Sequence, residues 1–154
     1  MTLSDDLQSA IDFVSAVMPV ESDWWIIGST AVALLGIEVT VADVDVVASP
    51  EVISDVLKRI GVEALPPKAD SRFRSTPFAR AERPGALPVE FMGGLEVNGA
   101  DGWQPLVIQS RQAARAGAAT VYIPSPDEQI AIFRRFGRDK DFARADLVAR
   151  FTAG

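Results

Sequence analysis

The chain has 154 residues, 48% of them apolar and 23% charged, the balance of one folded domain with a real core. Its formal net charge of −6 argues against a surface that binds nucleic acid broadly, though not against a local basic patch. With no cysteine and no histidine, disulfides, thiolate chemistry, the usual zinc ligands and a Ser-His-Asp triad are excluded, which leaves carboxylates, Lys, Arg, hydroxyls or an oxygen-held metal ion.

The acidic start, MTLSDDLQSAID, reads as no signal peptide, and no apolar run approaches a membrane span, so the expected location is the cytoplasm. Ser4 is placed to cap a first helix with Asp5 and Asp6 in its first turn. Leu7, Ile11, Val14 and Met18 recur at helical spacing, and Pro19 ends the helix. Trp24–Ile27 reads as an apolar strand whose tryptophans stand on opposite faces, so at least one belongs to the core. It ends at Gly28-Ser29. A short apolar helix over residues 30–35 stops at Gly36, and a second strand carries Asp43-Val44-Asp45-Val46. Ser49-Pro50 opens a third helix that Gly61 closes, with Val52, Ile53, Val56, Leu57 and Ile60 making it amphipathic.

Residues 66–70 read as a connector. Residues 71–80 read as a strand broken near Pro77, with Arg72 and Arg74 on one face and Phe73 on the other. Residues 83–86 form a turn, and 87–92 form a strand with Glu90 between apolar neighbours. Gly93-Gly94 allows a bend, 98–102 is a turn, and 106–108 is a short strand. Residues 111–117, basic and alanine-rich, read as a short helix or a loop, and 121–123 as a last strand. Ser125-Pro126-Asp127-Glu128 is a capping box opening a helix that carries Ile130, Ile132, Phe133 and Phe136 and stops at Gly137. A final helix spans roughly 140–151, with Phe142, Ala145, Leu147 and Phe151. The pattern predicts an α+β domain over 1–154: a mixed sheet flanked by helices (core 20–124), closed by a C-terminal helical pair (125–152).

Two features carry chemistry. Asp43 and Asp45, at i and i+2 on a strand, point to one face, where they repel each other and lose hydration if buried. A divalent cation between them relieves both costs. Gly28-Ser29, opening a helix nearby, offers backbone N–H groups and a hydroxyl to a phosphate. The same Gly-Ser also fits an ordinary turn with Ser29 as N-cap. Glu90 either joins the aspartates or pairs with Arg72 or Arg74 across a hairpin. Arg74, with Arg72, is placed to line a pocket, while Arg134 and Arg135 are expected to face water.

Ile27-Gly28-Ser29, then Asp43-Val44-Asp45 before Val46, resembles the active-site signature of the nucleotidyltransferase superfamily related to DNA polymerase beta. Within it, Arg138-Asp139-Lys140-Asp141 resembles the late motif of the small bacterial abortive-infection toxin branch. The resemblance covers 24–47 well, 87–93 moderately and 125–147 loosely. It implies catalytic and metal-ligating roles for Asp43, Asp45 and Glu90, which would hold two magnesium ions. It places Gly28 and Ser29 on the beta and gamma phosphates, with Arg138 and Lys140 toward phosphate or substrate. The implied reaction moves a nucleoside monophosphate from a nucleoside triphosphate to an acceptor hydroxyl on a small molecule, a tRNA end or a protein.

The chain departs from the related families at three points. Val39 and Val41 stand where Arg and Thr are common, and Phe133 where Lys is common. The competing function is therefore a degenerate nucleotidyltransferase-fold module that binds without turnover, for example a toxin–antitoxin component. A third reading is a plain acidic rim in an unrelated α/β domain, with no phosphate-sized pocket between Ser29 and Asp43.

Overall fold

The computed structural model describes residues 2–67 and 70–154, so Lys68 and Ala69 of the expected connector lie outside the described residues. The first half runs α1 (Asp5–Val17), β1 (Trp24–Ile27), α2 (Gly28–Leu34), β2 (Val44–Ala48) and α3 (Pro50–Ile60). Then come β3 (Phe73–Arg74), β4 (Phe78–Ala81), β5 (Val89–Gly93), β6 (Glu96–Gly99) and β7 (Gly102–Pro105). The chain closes with β8 (Gln112–Ala116), β9 (Ala119–Ile123), α4 (Pro126–Phe136) and α5 (Asp139–Ala153).

The fold is α+β. Its main sheet has the order β1-β2-β5-β4 and is mixed: β2 and β5 are parallel, and both outer strands are antiparallel to their neighbours. A parallel neighbour needs a crossover, and α3 lies on that path. Its ends are set locally. Ser49 Oγ accepts from Val52 N–H at 3.2 Å, and Gly61 stops the helix at φ 71.

Alternation along β2 and β5 assigns the two faces of the sheet. Val44, Val46, Val89 and Phe91 turn into a core with Ile11 and Val14 of α1 and Ile53 and Val56 of α3. Asp45, Val47, Glu90 and Met92 occupy the other face. Val47 there meets Leu95, Val97, Ile132 and Phe136 in a second cluster. A third cluster, Val32, Ile37, Phe133, Ala145 and Val148, fixes α4 and α5 against α2.

Two expectations are corrected, and two are borne out with added detail. Residues 111–117 are neither helix nor loop. They hold β8, paired antiparallel with β9 through Gly117-Ala118, with Gly117 at φ 59. Alanine favours helix on its own, but Ala114 and Ala116 alternate onto a buried face and the pairing wins. Residues 106–108 form no strand. Pairing stops at Pro105, and Leu106 only donates its N–H to Leu95 C=O at 2.9 Å. The break expected near Pro77 is present, and the pieces on its two sides, β3 and β4, join different sheets. The turn expected at 98–102 is present, and it joins two unexpected strands, β6 and β7.

Two caps differ from expectation in detail. Ser4 stands at the N-cap of α1, but its hydroxyl donates to Asp6 Oδ1 at 2.7 Å and caps no N–H. Ser125 does accept from Glu128 N–H at 3.3 Å. Glu128 does not return the bond. Its carboxylate accepts from Gln109 N–H at 2.8 Å and Ser110 N–H at 2.7 Å, tying that loop to α4.

Candidate active site

β2 begins just after Asp43, so Asp43 and Asp45 straddle Val44 and share a face. The parallel register then sets Glu90 directly beside Asp45. One carboxylate oxygen from each of the three residues lies within 4.8 Å of the others. Thr30, fully buried on α2, donates its hydroxyl to Asp43 C=O at 3.0 Å and fixes the approach to the strand.

Asp45 is the most constrained of the three. Its Oδ1 is buried without a hydrogen-bond partner. Burial, then the nearby Asp43 and Glu90 charges, push its carboxyl up to about 8. Asp43 is raised as well, by burial and then by Glu90, while Arg80, Lys140 and Arg144 pull it down. Gly28 explains how the chain passes so close. It has φ +74, and a Cβ there would stand 3.2 Å from Asp45 Oδ2.

Gly28 is the first residue of α2, and Ile27 takes the N-cap. The turn reading with Ser29 as N-cap is therefore corrected: Ser29 lies within the first turn, 8% exposed, and lines the cavity above the carboxylates.

Glu90 pairs across the strands with Arg80, not with Arg72 or Arg74, because Arg80 is its register partner on β4. Arg80 Nη1 is 3.0 Å from Glu90 Oε2. Arg72 donates instead to Phe136 C=O. Arg74 pairs with Glu96 at 2.8 Å and lies 4.3 Å over the Trp103 ring, at the cavity edge.

From α5, Arg138 and Lys140 line the same cavity, and so does Arg144, one turn beyond Lys140. Arg138 is already engaged. Its Nε and Nη2 donate to Asp141 at 2.6 and 3.0 Å, and its guanidinium lies 4.9 Å from the Phe73 ring centre. Lys140 and Arg144 make no hydrogen bond or ion pair with any described residue, and both lie near enough to Asp43 to lower its pKa. Arg80, Arg144 and Trp103 escape sequence reading; for Arg144 the i+4 spacing from Lys140 is the one signal that points to it.

The cavity measures about 590 Å³, within the range of small-molecule sites. The carboxylate cluster lines it. One part of its wall carries Lys140 and Arg144, and another is apolar, with Phe78, Met92, Leu95 and Trp103. Thr40, rather than Val39 or Val41, faces it. Val39 packs on the third cluster and Val41 on the main core, while Phe133 is 2% exposed inside the third cluster. A lysine at 133 would point into the core, not the cavity.

No family model matches the chain, and no curated protein does. Solved structures do. A candidate nucleotidyltransferase from Thermotoga maritima, TM1012, superposes with a TM-score of 0.72 over 94% of this chain and 91% of its own, at 18% identity. The chain has the nucleotidyltransferase fold. The same nucleotidyltransferase fold underlies two further matches. The lincosamide antibiotic adenylyltransferase LnuA, with lincomycin bound, gives a TM-score of 0.56 over 96% of this chain and 97% of its own, at 11% identity. The antibiotic-resistance factor ANT(2'')-Ia gives 0.58 over 98% of this chain and 86% of its own, at 13% identity. At these identities the shared property is the fold. In this nucleotidyltransferase fold the three carboxylates gather on the cavity side of β2 and β5.

Proposed function

We propose that the chain is a metal-dependent nucleotidyltransferase that moves a nucleoside monophosphate from a nucleoside triphosphate to an acceptor hydroxyl. The observation that carries this reading is the convergence of Asp43, Asp45 and Glu90 in a cavity that Lys140 and Arg144 also line. The donor set fits magnesium, which takes oxygen ligands and shares them with substrate phosphates. The orphaned Oδ1 of Asp45 fits it too, since a buried acceptor with nothing to accept is costly in a protein that never loads a cation. Asp43, Asp45 and Glu90 would hold up to two ions. When bound, magnesium offsets negative charge on the reacting phosphates and makes an acceptor hydroxyl easier to deprotonate.

The chain's own residues supply the rest. Lys140, as a point charge, and Arg144, as a fork, bind the triphosphate. Ser29 donates its hydroxyl to a phosphate oxygen, and Gly28 leaves room for the phosphates beside Asp45. Arg138, held by Asp141, contributes charge rather than a free fork. Arg74 and Trp103, stacked on each other in the cavity lining, position the organic part of a substrate, while Phe78, Met92 and Leu95 exclude water beside the reacting groups.

The test is calorimetric titration of ATP, GTP, CTP and UTP with magnesium into wild type and an Asp43→Ala/Asp45→Ala variant. Because LnuA, one of the matched structures, is an adenylyltransferase, ATP is the donor to try first. Magnesium-dependent binding of a nucleotide that the variant loses is the expected result. A folded wild type that binds none overturns the reading. The binding module without turnover, such as a toxin–antitoxin component, draws on the apolar Val39, Val41 and Phe133, none of which lines the cavity. Binding without pyrophosphate release across a panel of small-molecule, tRNA and protein acceptors would select it.

A further inference from the structure

The carboxylate cluster already has a cation of its own. Arg80 Nη1 stands 3.0 Å from Glu90 Oε2 and 3.9 Å from Asp43 Oδ2. Its Nε stands 3.0 Å from Glu82 Oε1. The first two anions line the cavity, and Glu82 does not. The Glu82 side chain is 69% exposed, against 16% for Glu90. One guanidinium therefore joins the cluster to a carboxylate in open solvent, two residues further along the chain. The arrangement follows from register: Arg80 faces Glu90 across β4 and β5, and the fork has separate donors for two partners.

A guanidinium and a divalent ion cannot use these oxygens together. An ion at coordination distance from Glu90 and Asp43 would meet the positive Nη1 within a few ångströms, where like charges repel strongly. Glu82 gives the guanidinium a partner it can keep while it leaves Glu90. We propose that Arg80 is a displaceable internal cation, which holds Glu90 and Asp43 together in the metal-free site and withdraws onto Glu82 when a divalent cation takes those carboxylates. The proposal rests on the metal-dependent reading above and adds regulation to it. Free metal competes with Arg80, so the site fills most readily when a nucleotide brings phosphate ligands with the ion. A purely positioning role would have the opposite sign: an arginine that only orients Glu90 for the metal would weaken metal binding when removed.

The experiment is manganese titration of the full chain without nucleotide, followed by calorimetry and by the paramagnetic signal of free ion. Wild type, Arg80→Met, Glu82→Gln and the double variant are compared. Arg80→Met should tighten binding about tenfold or more. Glu82→Gln should weaken it about threefold, and that effect should shrink below about twofold in the Arg80→Met background. Should Arg80→Met fail to fold, Arg80→Gln replaces it and must also tighten binding, because the amide carries no charge to compete with the ion. Unchanged or weaker binding on loss of Arg80, or an equal Glu82→Gln effect in both backgrounds, overturns the proposal and leaves the metal reading standing. No manganese binding by any of the four proteins overturns the proposal, while the metal reading itself falls only if the nucleotide titration with magnesium also fails.

Discussion

Asp45 and Gly28 set the chemistry of the cavity between them. In the folded chain the Asp45 carboxyl is raised to about 8 by burial and by Asp43 and Glu90, so the unfolded chain loses its proton first as pH rises. Stability contributed by the protonated form is complete below the unfolded value, near 4, and is lost as pH climbs through about 8. Without metal, the wild type should therefore lose stability across that window, and Asp45→Asn should flatten the dependence and melt higher than wild type at pH 8. Thermal unfolding at several pH values, followed by circular dichroism, checks this. Magnesium should raise the wild-type midpoint more at pH 8 than at pH 5, because the ion needs the ionised carboxylate. Gly28→Ala meets two obstacles, a positive φ and a Cβ 3.2 Å from Asp45 Oδ2. It should cost about 1–2 kcal/mol in urea unfolding and weaken manganese binding as Asp45 is displaced.

Helices and strands differ in how far the sequence announces them. Asp43, Asp45 and Glu90 are legible because strand alternation is a local rule, and Ser49, Gly61 and Gly137 are legible because caps are local too. Arg80 is not, since its meaning comes from a register partner ten residues away on another strand. β8 is hidden for the related reason that its alanines favour helix until β9 pairs with them. Arg111, read only as part of a basic run, proves to hold the start of β1. It donates to Trp24 C=O and Ser22 C=O, both at 3.1 Å, and its guanidinium sits 3.6 Å from the Tyr122 ring centre. Arg111→Ala should destabilise by about 1–3 kcal/mol in chemical unfolding and leave nucleotide affinity unchanged. Phe133 teaches the same lesson from the other side. Phe133→Lys restores the residue common in related families, yet the side chain is enclosed by Val32, Ala145 and Val148. The variant should lose about 3 kcal/mol or more and gain no affinity for nucleotide, as unfolding and calorimetry will show.

At the scale of the molecule, the cavity exists because α5 is brought back over the sheet by its packing on α2 and α4. Sequence reading foresees the helical pair but not this closure, which depends on buried Ala145 and Val148 rather than on the charged motif before them. Lys140→Met and Arg144→Met should each weaken nucleotide binding about tenfold with thermal stability unchanged, because neither side chain supports the core. The double variant should lose more than either single one, measured by the same titration.

The charged row across the sheet also guards the fold against its nearest wrong version. Asp45, Glu90 and Arg80 stand side by side at one level of β2, β5 and β4. If β5 slid by one residue, Glu90 would turn into the core now filled by Val89 and Phe91, and Val89 would face the cavity. A lone carboxylate buried among Val44, Ile11 and Ile53 is far costlier than the crowding it suffers in place. The acidic cluster thus serves assembly as well as chemistry, as an error check that admits one alignment of the central strands and penalises its neighbours.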